Sequence, residues 1–233
     1  RLLRLCRSLK SLEPSFSSFY GVDSRPFIER AWAEISGLGF IGKNSMLISP
    51  GDSSFFFLGM ILCNIDFTPD PPITKDHCGR CTRCLVHCPT DAFLGDSQLD
   101  ARRCLSYLTI EHKGIIPDIH KEKMGRWLFG CDVCQDVCPH NHRPAPAVLK
   151  DFAPLHAWVD LVWLLGASPE EINTFFAGSP VRRAGVMGLR RNAAICIGNI
   201  GDSSAKNVLY KHERSSDLPV REAVRWSLDR LGV

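Results

Sequence analysis

The chain has 233 residues, 45% of them hydrophobic and 23% charged, with a formal net charge of +3. That composition suits one or two globular domains with ample core, and the near-neutral balance excludes a protein that binds nucleic acid through a global field, so any basic site must be local. A membrane span is excluded too: the apolar run 55–65 falls far short of the ~20 residues needed to cross a bilayer.

Leu2, Leu5 and Leu9 recur at helical spacing among basic residues, so the first ten residues read as part of an amphipathic helix. Residues 16–22 read as a short extended segment. A second helix is expected from Pro26, with Ile28, Ala31, Trp32 and Ile35 on one face and Ser24 as N-cap. Asp23, just before that start, is on these grounds a second cap. The glycines of Gly37-Leu38-Gly39-Phe40-Ile41-Gly42 permit tight turns or a close ligand, but match neither a Walker A nor a dinucleotide fingerprint. Residues 46–49 and 55–65 are expected to be strands of a hairpin turned at Pro50-Gly51-Asp52. The second, apolar on both faces, should be central in a covered sheet.

After a proline-rich link (68–72) comes Cys78-Gly79-Arg80-Cys81-Thr82-Arg83-Cys84-Leu85-Val86-His87-Cys88-Pro89. Cys104 follows alone, then Cys131-Asp132-Val133-Cys134-Gln135-Asp136-Val137-Cys138-Pro139. The first run has the C-x2-C-x2-C-x3-C-P spacing of two-cluster bacterial ferredoxins, in which the cysteine before proline reaches the other cluster. Cys78, Cys81, Cys84 and Cys138 are therefore expected to hold one [4Fe–4S] cluster, and Cys88, Cys104, Cys131 and Cys134 a second. Zinc gains nothing from a third cysteine at this spacing, and disulfides need an oxidising compartment for which no signal peptide speaks. Cys6, Cys63 and Cys196 read as buried small apolar residues. Helices are expected over 99–108, carrying Cys104, and 121–129, delivering Cys131, with 109–117 extended between them. None of these pieces can bury a core of its own, so folding should depend on the metal.

Residues 139–154 carry four prolines and read as a linker. Beyond them the pattern is helical: 158–165 has an apolar face, and Ser168-Pro169-Glu170-Glu171 is a capping-box start. Residues 189–201 align with 220–232 at an offset of 31, a period that suits HEAT-like helical pairs. Arg182, Arg183, Arg190 and Arg191 are either a phosphate-binding surface or a solvated helix face.

Together these residues resemble the epoxyqueuosine reductase family, which completes queuosine in tRNA. The likeness runs from about Gly21 to Gly232. It rests on Val22-Asp23, Glu29-Arg30-Ala31-Trp32-Ala33-Glu34, Gly39-Phe40-Ile41-Gly42-Lys43-Asn44, the cluster motifs, the run 99–114 ending Tyr107-Leu108-Thr109-Ile110-Glu111-His112-Lys113-Gly114, and Phe129-Gly130-Cys131-Asp132-Val133-Cys134-Gln135. The resemblance implies an α+β chain in three parts. Residues 1–70 would be the C-terminal part of a cobalamin-binding catalytic domain, N-terminally truncated, 71–143 a two-[4Fe–4S] ferredoxin-like domain, and 144–233 a HEAT-like tRNA-binding region.

It also implies a cytoplasmic, monomeric oxidoreductase with no membrane attachment, acting on epoxyqueuosine in a tRNA anticodon stem-loop and fed by an unidentified low-potential electron donor. Asp23 becomes the acid that protonates the departing oxygen, which calls for a buried, protonated carboxyl. Ile48, Ser49, Ser106, Cys131 and Asp132 become candidates for lining the corrin. Lys113, with Arg182, Arg183, Arg190 and Arg191, becomes a candidate tRNA contact. The competing readings are a cobalamin and iron–sulfur reductase of another substrate, such as an organohalide, and a two-cluster electron-transfer module without corrinoid.

Overall fold

A computed structural model describes residues 1–23, 25–75, 77–144, 152 and 156–232. Ser24, the expected cap, and Pro146 and Pro154 of the expected linker lie outside them. The chain forms two units. Residues 1–86, 95–98 and 134–146 make the first; residues 87–94, 99–133 and 147–233 make the second.

The first unit opens with helix α1 (Leu2–Leu12) and strand β1 (Ser18–Gly21). Helix α2 (Glu29–Ile35) starts three residues later than Pro26, and its apolar face stays exposed, Ile28, Trp32 and Ile35 each by more than half. Strands β2 (Phe40–Ile41) and β3 (Leu47–Ile48) pair antiparallel, Phe40 opposite Ile48 and Ile41 opposite Leu47. Strand β4 (Met60–Cys63) pairs antiparallel with β1, Ser18 opposite Cys63 through Gly21 opposite Met60.

The expected hairpin is thus replaced by two separate pairs. Ser53 O accepts from Ser49 N at 3.0 Å, which turns the chain back locally, and only four residues of 55–65 are strand. With a single partner strand, β4 is half-exposed rather than central. Short helix α3 (Arg83–Val86) follows, and β5 (Phe93–Gly95) and β6 (Gln98–Leu99) form a local hairpin.

The second unit is helical: α4 (Leu105–Ile110), α5 (Asp118–Lys121), α7 (Leu161–Gly166), α8 (Pro169–Phe175), α9 (Gly185–Ile200), α10 (Lys206–His212) and α11 (Leu218–Arg230); one-turn α6 (Val133–Asp136) lies at the boundary. The Ser168 capping box forms as expected, its hydroxyl accepting from Glu171 N and Glu171 accepting from Ser168 N. The two aligned segments are α9 and α11, packed together, with Ser227 Oγ donating to Ala194 O at 2.7 Å. Each ends at a glycine with positive φ, Gly201 at 77° and Gly232 at 70°.

The segments around Cys104 and Cys131 do not stand alone. Leu105, Leu108, Ile116 and Met124 share one buried cluster with Leu165, Ile195, Leu209 and Val224 of the C-terminal helices, and half-buried Trp127 and Cys131 pack against it. This segment buries its apolar residues in a core shared with α7, α9, α10 and α11. The expected 121–129 helix is only α5 and a 3-10 turn over Glu122–Met124.

Candidate iron–sulfur and substrate site

In the first unit, Cys78, Cys81, Cys84 and Cys138 line one cavity with Lys43, Asn44, Ile48, His77, Arg83, Pro139 and His140. Its wall is aromatic. The His77 ring stacks on Phe40 with centroids 5.0 Å apart, His140 meets Phe40 edge-on at 5.5 Å, and His140 Nε2 lies 3.4 Å from His77 O. Ile48 is 1% exposed, and a Cβ on Gly42 would lie 2.5 Å from its Cδ1, so only glycine leaves that side chain its place against the cavity. Ile48 is accordingly a wall of the thiol cavity and has no exposed side chain to offer a corrin.

The thiols of this set repel one another when ionised. Cys84 is pushed up to about 11, first by burial and then by the charges of Cys78 and Cys138. Cys138 is raised by burial and by Cys78 and Cys81. Without metal Cys84 and Cys138 are therefore thiols at neutral pH, and loading must displace their protons. The raised pKa favours the protonated folded state. That contribution is complete below the ordinary thiol value of 9.0 and is lost as pH rises toward about 11. Metal-free protein is expected to lose stability over that interval in alkaline denaturation, and Cys84→Ala to flatten the slope; an unchanged slope would refute it.

In the second unit, Cys131 is raised by burial and then by Cys104 and Cys88, which groups those three thiols. Cys88 Sγ accepts from Ala92 N at 3.3 Å. Cys104 precedes the first turn of α4, in extended conformation. Cys134 lies on α6, and its carbonyl accepts from buried Asn44 Nδ2 at 3.2 Å. No disulfide links any of these cysteines. Among the described residues no three His, Cys, Asp or Glu converge tightly enough to hold a single ion; four of the thiols instead surround a cavity. Of the leftover cysteines, Cys6 and Cys196 are buried, whereas Cys63 is half-exposed on β4.

Three sequence expectations are corrected by position. Arg191 is 1% exposed and belongs to the core of the second unit. Its Nη1 donates to His112 O and Gly114 O, each at 2.7 Å, and its Nη2 to Leu108 O at 2.8 Å. Asn192 Oδ1 accepts from its Nε at 3.1 Å. Burial brings Arg191 down to about 10, and the guanidinium has no face left for a phosphate.

Arg190 is turned inward too, donating to Ala167 O, and burial lowers it. Lys113, though exposed, spends its ammonium on Ile110 O, Arg183 O and Ala184 O at 3.0, 2.8 and 3.0 Å. It ties the end of α4 to the 180–184 turn. Arg182 and Arg183 remain exposed, Arg183 paired with Glu111.

Asp23 is exposed, not buried as its acid role was expected to require. Ser49 and Ser106 are half-buried and Asp132 is exposed.

Sequence reasoning missed Asn192 and Thr109. Asn192 Nδ2 donates to Thr109 O at 2.8 Å and Leu128 O at 2.9 Å, and Gly130 N donates to Thr109 Oγ1 at 3.0 Å. One buried amide thus ties the helix after Cys104 to the strand of chain before Cys131. The only available signal was an Arg-Asn pair inside an otherwise apolar helix.

Residues 77–141 match the 4Fe-4S double cluster binding domain. An epoxyqueuosine reductase of Pseudomonas aeruginosa is 42% identical over all of this chain and 65% of its own length. The chain belongs to the epoxyqueuosine reductase family. The enzyme of the same name from Escherichia coli is 42% identical over 76% of the chain and 47% of its own length. A solved epoxyqueuosine reductase from Bacillus subtilis, with its catalytic aspartate loop swung out of the active site, superposes with TM-score 0.91, 34% identity and 99% of this chain on 61% of that one. Another, solved with an epoxyqueuosine-modified tRNA-Tyr stem loop, gives TM-score 0.92 at 34% identity, covering 99% of this chain and 62% of that one. The chain spans just under two thirds of the length of the first of these relatives.

Proposed function

We propose that this epoxyqueuosine reductase family member reduces epoxyqueuosine in a tRNA anticodon loop to queuosine, by low-valent cobalamin supplied with electrons from two [4Fe–4S] clusters. The observation that carries the reading is the sorting of seven motif cysteines into a cavity set, Cys78, Cys81, Cys84 and Cys138, and a separate group, Cys88, Cys104 and Cys131. Cys134 is assigned to the second cluster by the ferredoxin rule. Four soft thiolate donors per site fit the cubane in charge and type. When bound, the clusters pass single electrons at low potential; removal of the epoxide oxygen as water takes two electrons and two protons.

Cobalamin enters from family resemblance. Of the residues named for it, Ile48 is buried and Cys131 lies with the second group of thiols. The chain's own residues supply the rest. Ile48, His77, Pro139 and His140 shield the first thiol set from water. Arg191 and Asn192 fix the backbone around the second. Asp23, which is exposed, is proposed as the proton donor to the departing oxygen; the Bacillus subtilis relative was solved with its catalytic aspartate loop swung out of the active site. Arg182 and Arg183 are proposed to meet anticodon-stem phosphates, on the 180–184 turn that Lys113 holds.

Residues 1–70 are proposed as part of the cobalamin domain, 71–143 as the two-cluster domain and 144–233 as HEAT-like repeats. A monomer in the cytoplasm, with an unidentified low-potential donor, accords with a tRNA substrate; among the described residues no helix is long and apolar enough to cross a membrane.

The test gives anaerobically loaded, full-length enzyme a stem-loop bearing epoxyqueuosine and follows loss of one oxygen by mass spectrometry. Asp23→Asn is expected to retain iron and corrinoid while turnover falls at least about a hundredfold. No conversion by fully loaded enzyme would reject the function; equal turnover by the variant would remove Asp23 from the proton-donor role.

A further inference from the structure

We propose that the loop carrying Cys78, Cys81 and Cys84, continued by α3, is the docking surface for an acidic protein carrier of single electrons. The proposal rests on the iron–sulfur reading and adds the chemistry of the donor. Its first ground is charge. Between Ile73 and Val86 the sequence has three cations, Lys75, Arg80 and Arg83, and one anion, Asp76. The whole chain carries only +3, so a disproportionate share of its excess lies in these few residues.

The second ground is placement. Lys75, Arg80 and Arg83 are all exposed. Arg80 stands between two of the thiols in the chain, and Arg83 itself lines the thiol cavity. Gly79 sits at φ 49° with nothing within 4 Å of a would-be Cβ, so the tip of the loop faces open space. Arg83 and Val86 are three apart on α3 and so share a face, where Val86 is 69% exposed. An exposed apolar residue beside a cation, on a loop that carries three of the thiols, suits a transient electron-transfer interface, small and steered by charge rather than held by area.

The third ground is rigidity behind the loop. Phe40, His77 and His140 pack as a ring cluster against the cavity, so the surface is presented on a fixed base. An acidic iron–sulfur or flavin protein, reduced by one electron, would be drawn to the loop. On contact it would give up that one electron and so be oxidised, and the cluster that these thiols would hold would accept it, with no bond made or broken.

The experiment uses cluster-loaded full-length protein in stopped flow, with a reduced acidic [2Fe–2S] ferredoxin as one donor and the methyl viologen radical cation as the other. In Arg80→Glu/Arg83→Glu the rate with ferredoxin is expected to fall at least about tenfold at low salt and to converge with the parent near 1 M salt, where the Debye length is about 3 Å. The viologen rate should hold or rise. Arg80→Gln/Arg83→Gln should fall between, which guards against a misfolded double reversal. Equal ferredoxin rates in variants that dithionite bleaches normally would overturn the docking surface alone. Equal rates with weakened stem-loop binding would overturn it in favour of a nucleic-acid surface. Absence of any dithionite-bleachable absorption in the parent would instead remove the iron–sulfur reading, and the docking proposal with it.

Discussion

Arg191→Met is expected to destabilise the second unit by about 3–5 kcal/mol, the range for losing one partner of a buried charged network. The guanidinium is a hub: it satisfies the carbonyls of Leu108, His112 and Gly114 and the side chain of Asn192. A thioether of similar length fills much of the volume but donates nothing, so three buried or half-buried carbonyls lose their donor, each at about 1–3 kcal/mol. Lysine should rescue little, because one ammonium cannot reproduce the planar fork. Chemical denaturation measures the loss, and hydrogen exchange should show residues 108–114 deprotected first. Were Arg191 a phosphate ligand, the variant would keep its stability and lose stem-loop affinity; that outcome would sink the core assignment.

The second large effect concerns iron. Cys84→Ala is expected to lower iron from about eight atoms per chain to about four, since one of two [4Fe–4S] clusters loses a ligand. Cys84 stands among the thiols of Cys78, Cys81 and Cys138, so the loss should be confined to that set. Cys63→Ala, at a half-exposed position on β4, serves as control and should leave iron unchanged. Iron and acid-labile sulfide analysis of anaerobic preparations gives the answer. Equal iron in both variants would remove Cys84 from the ligands, and zinc in place of iron would overturn the reading at its root.

The thiols were legible because their spacing is local: three residues two apart must wrap one corner of a cluster, whatever the rest of the chain does. Helix starts with side-chain caps were legible for the same reason, as at Ser168. Strand partners were not. Residues 55–65 are apolar enough for a central strand, yet the pairing of β4 with β1 depends on residues some forty positions away, and the turn at Ser49–Ser53 closes on itself first.

The arginines show the same limit. Arg182 and Arg191 look alike in the sequence, yet Arg182 sits on the exposed 180–184 turn while α9 directs Arg191 onto the carbonyls of residues 108–114. Asp23 went the opposite way: its role was inferred to require burial, and its segment is exposed.

The amide of Asn192 and the shared core of α4 with α9 and α11 bear on how this protein can be dissected. A minimal redox module cut at the motif boundaries would leave Leu105, Leu108, Ile116 and Met124 facing water, with the carbonyls of Thr109 and Leu128 stripped of their donor. The helical tail therefore props the segments that carry Cys104 and Cys131, and lesions far downstream of the last motif cysteine are expected to disturb those segments without touching a thiol.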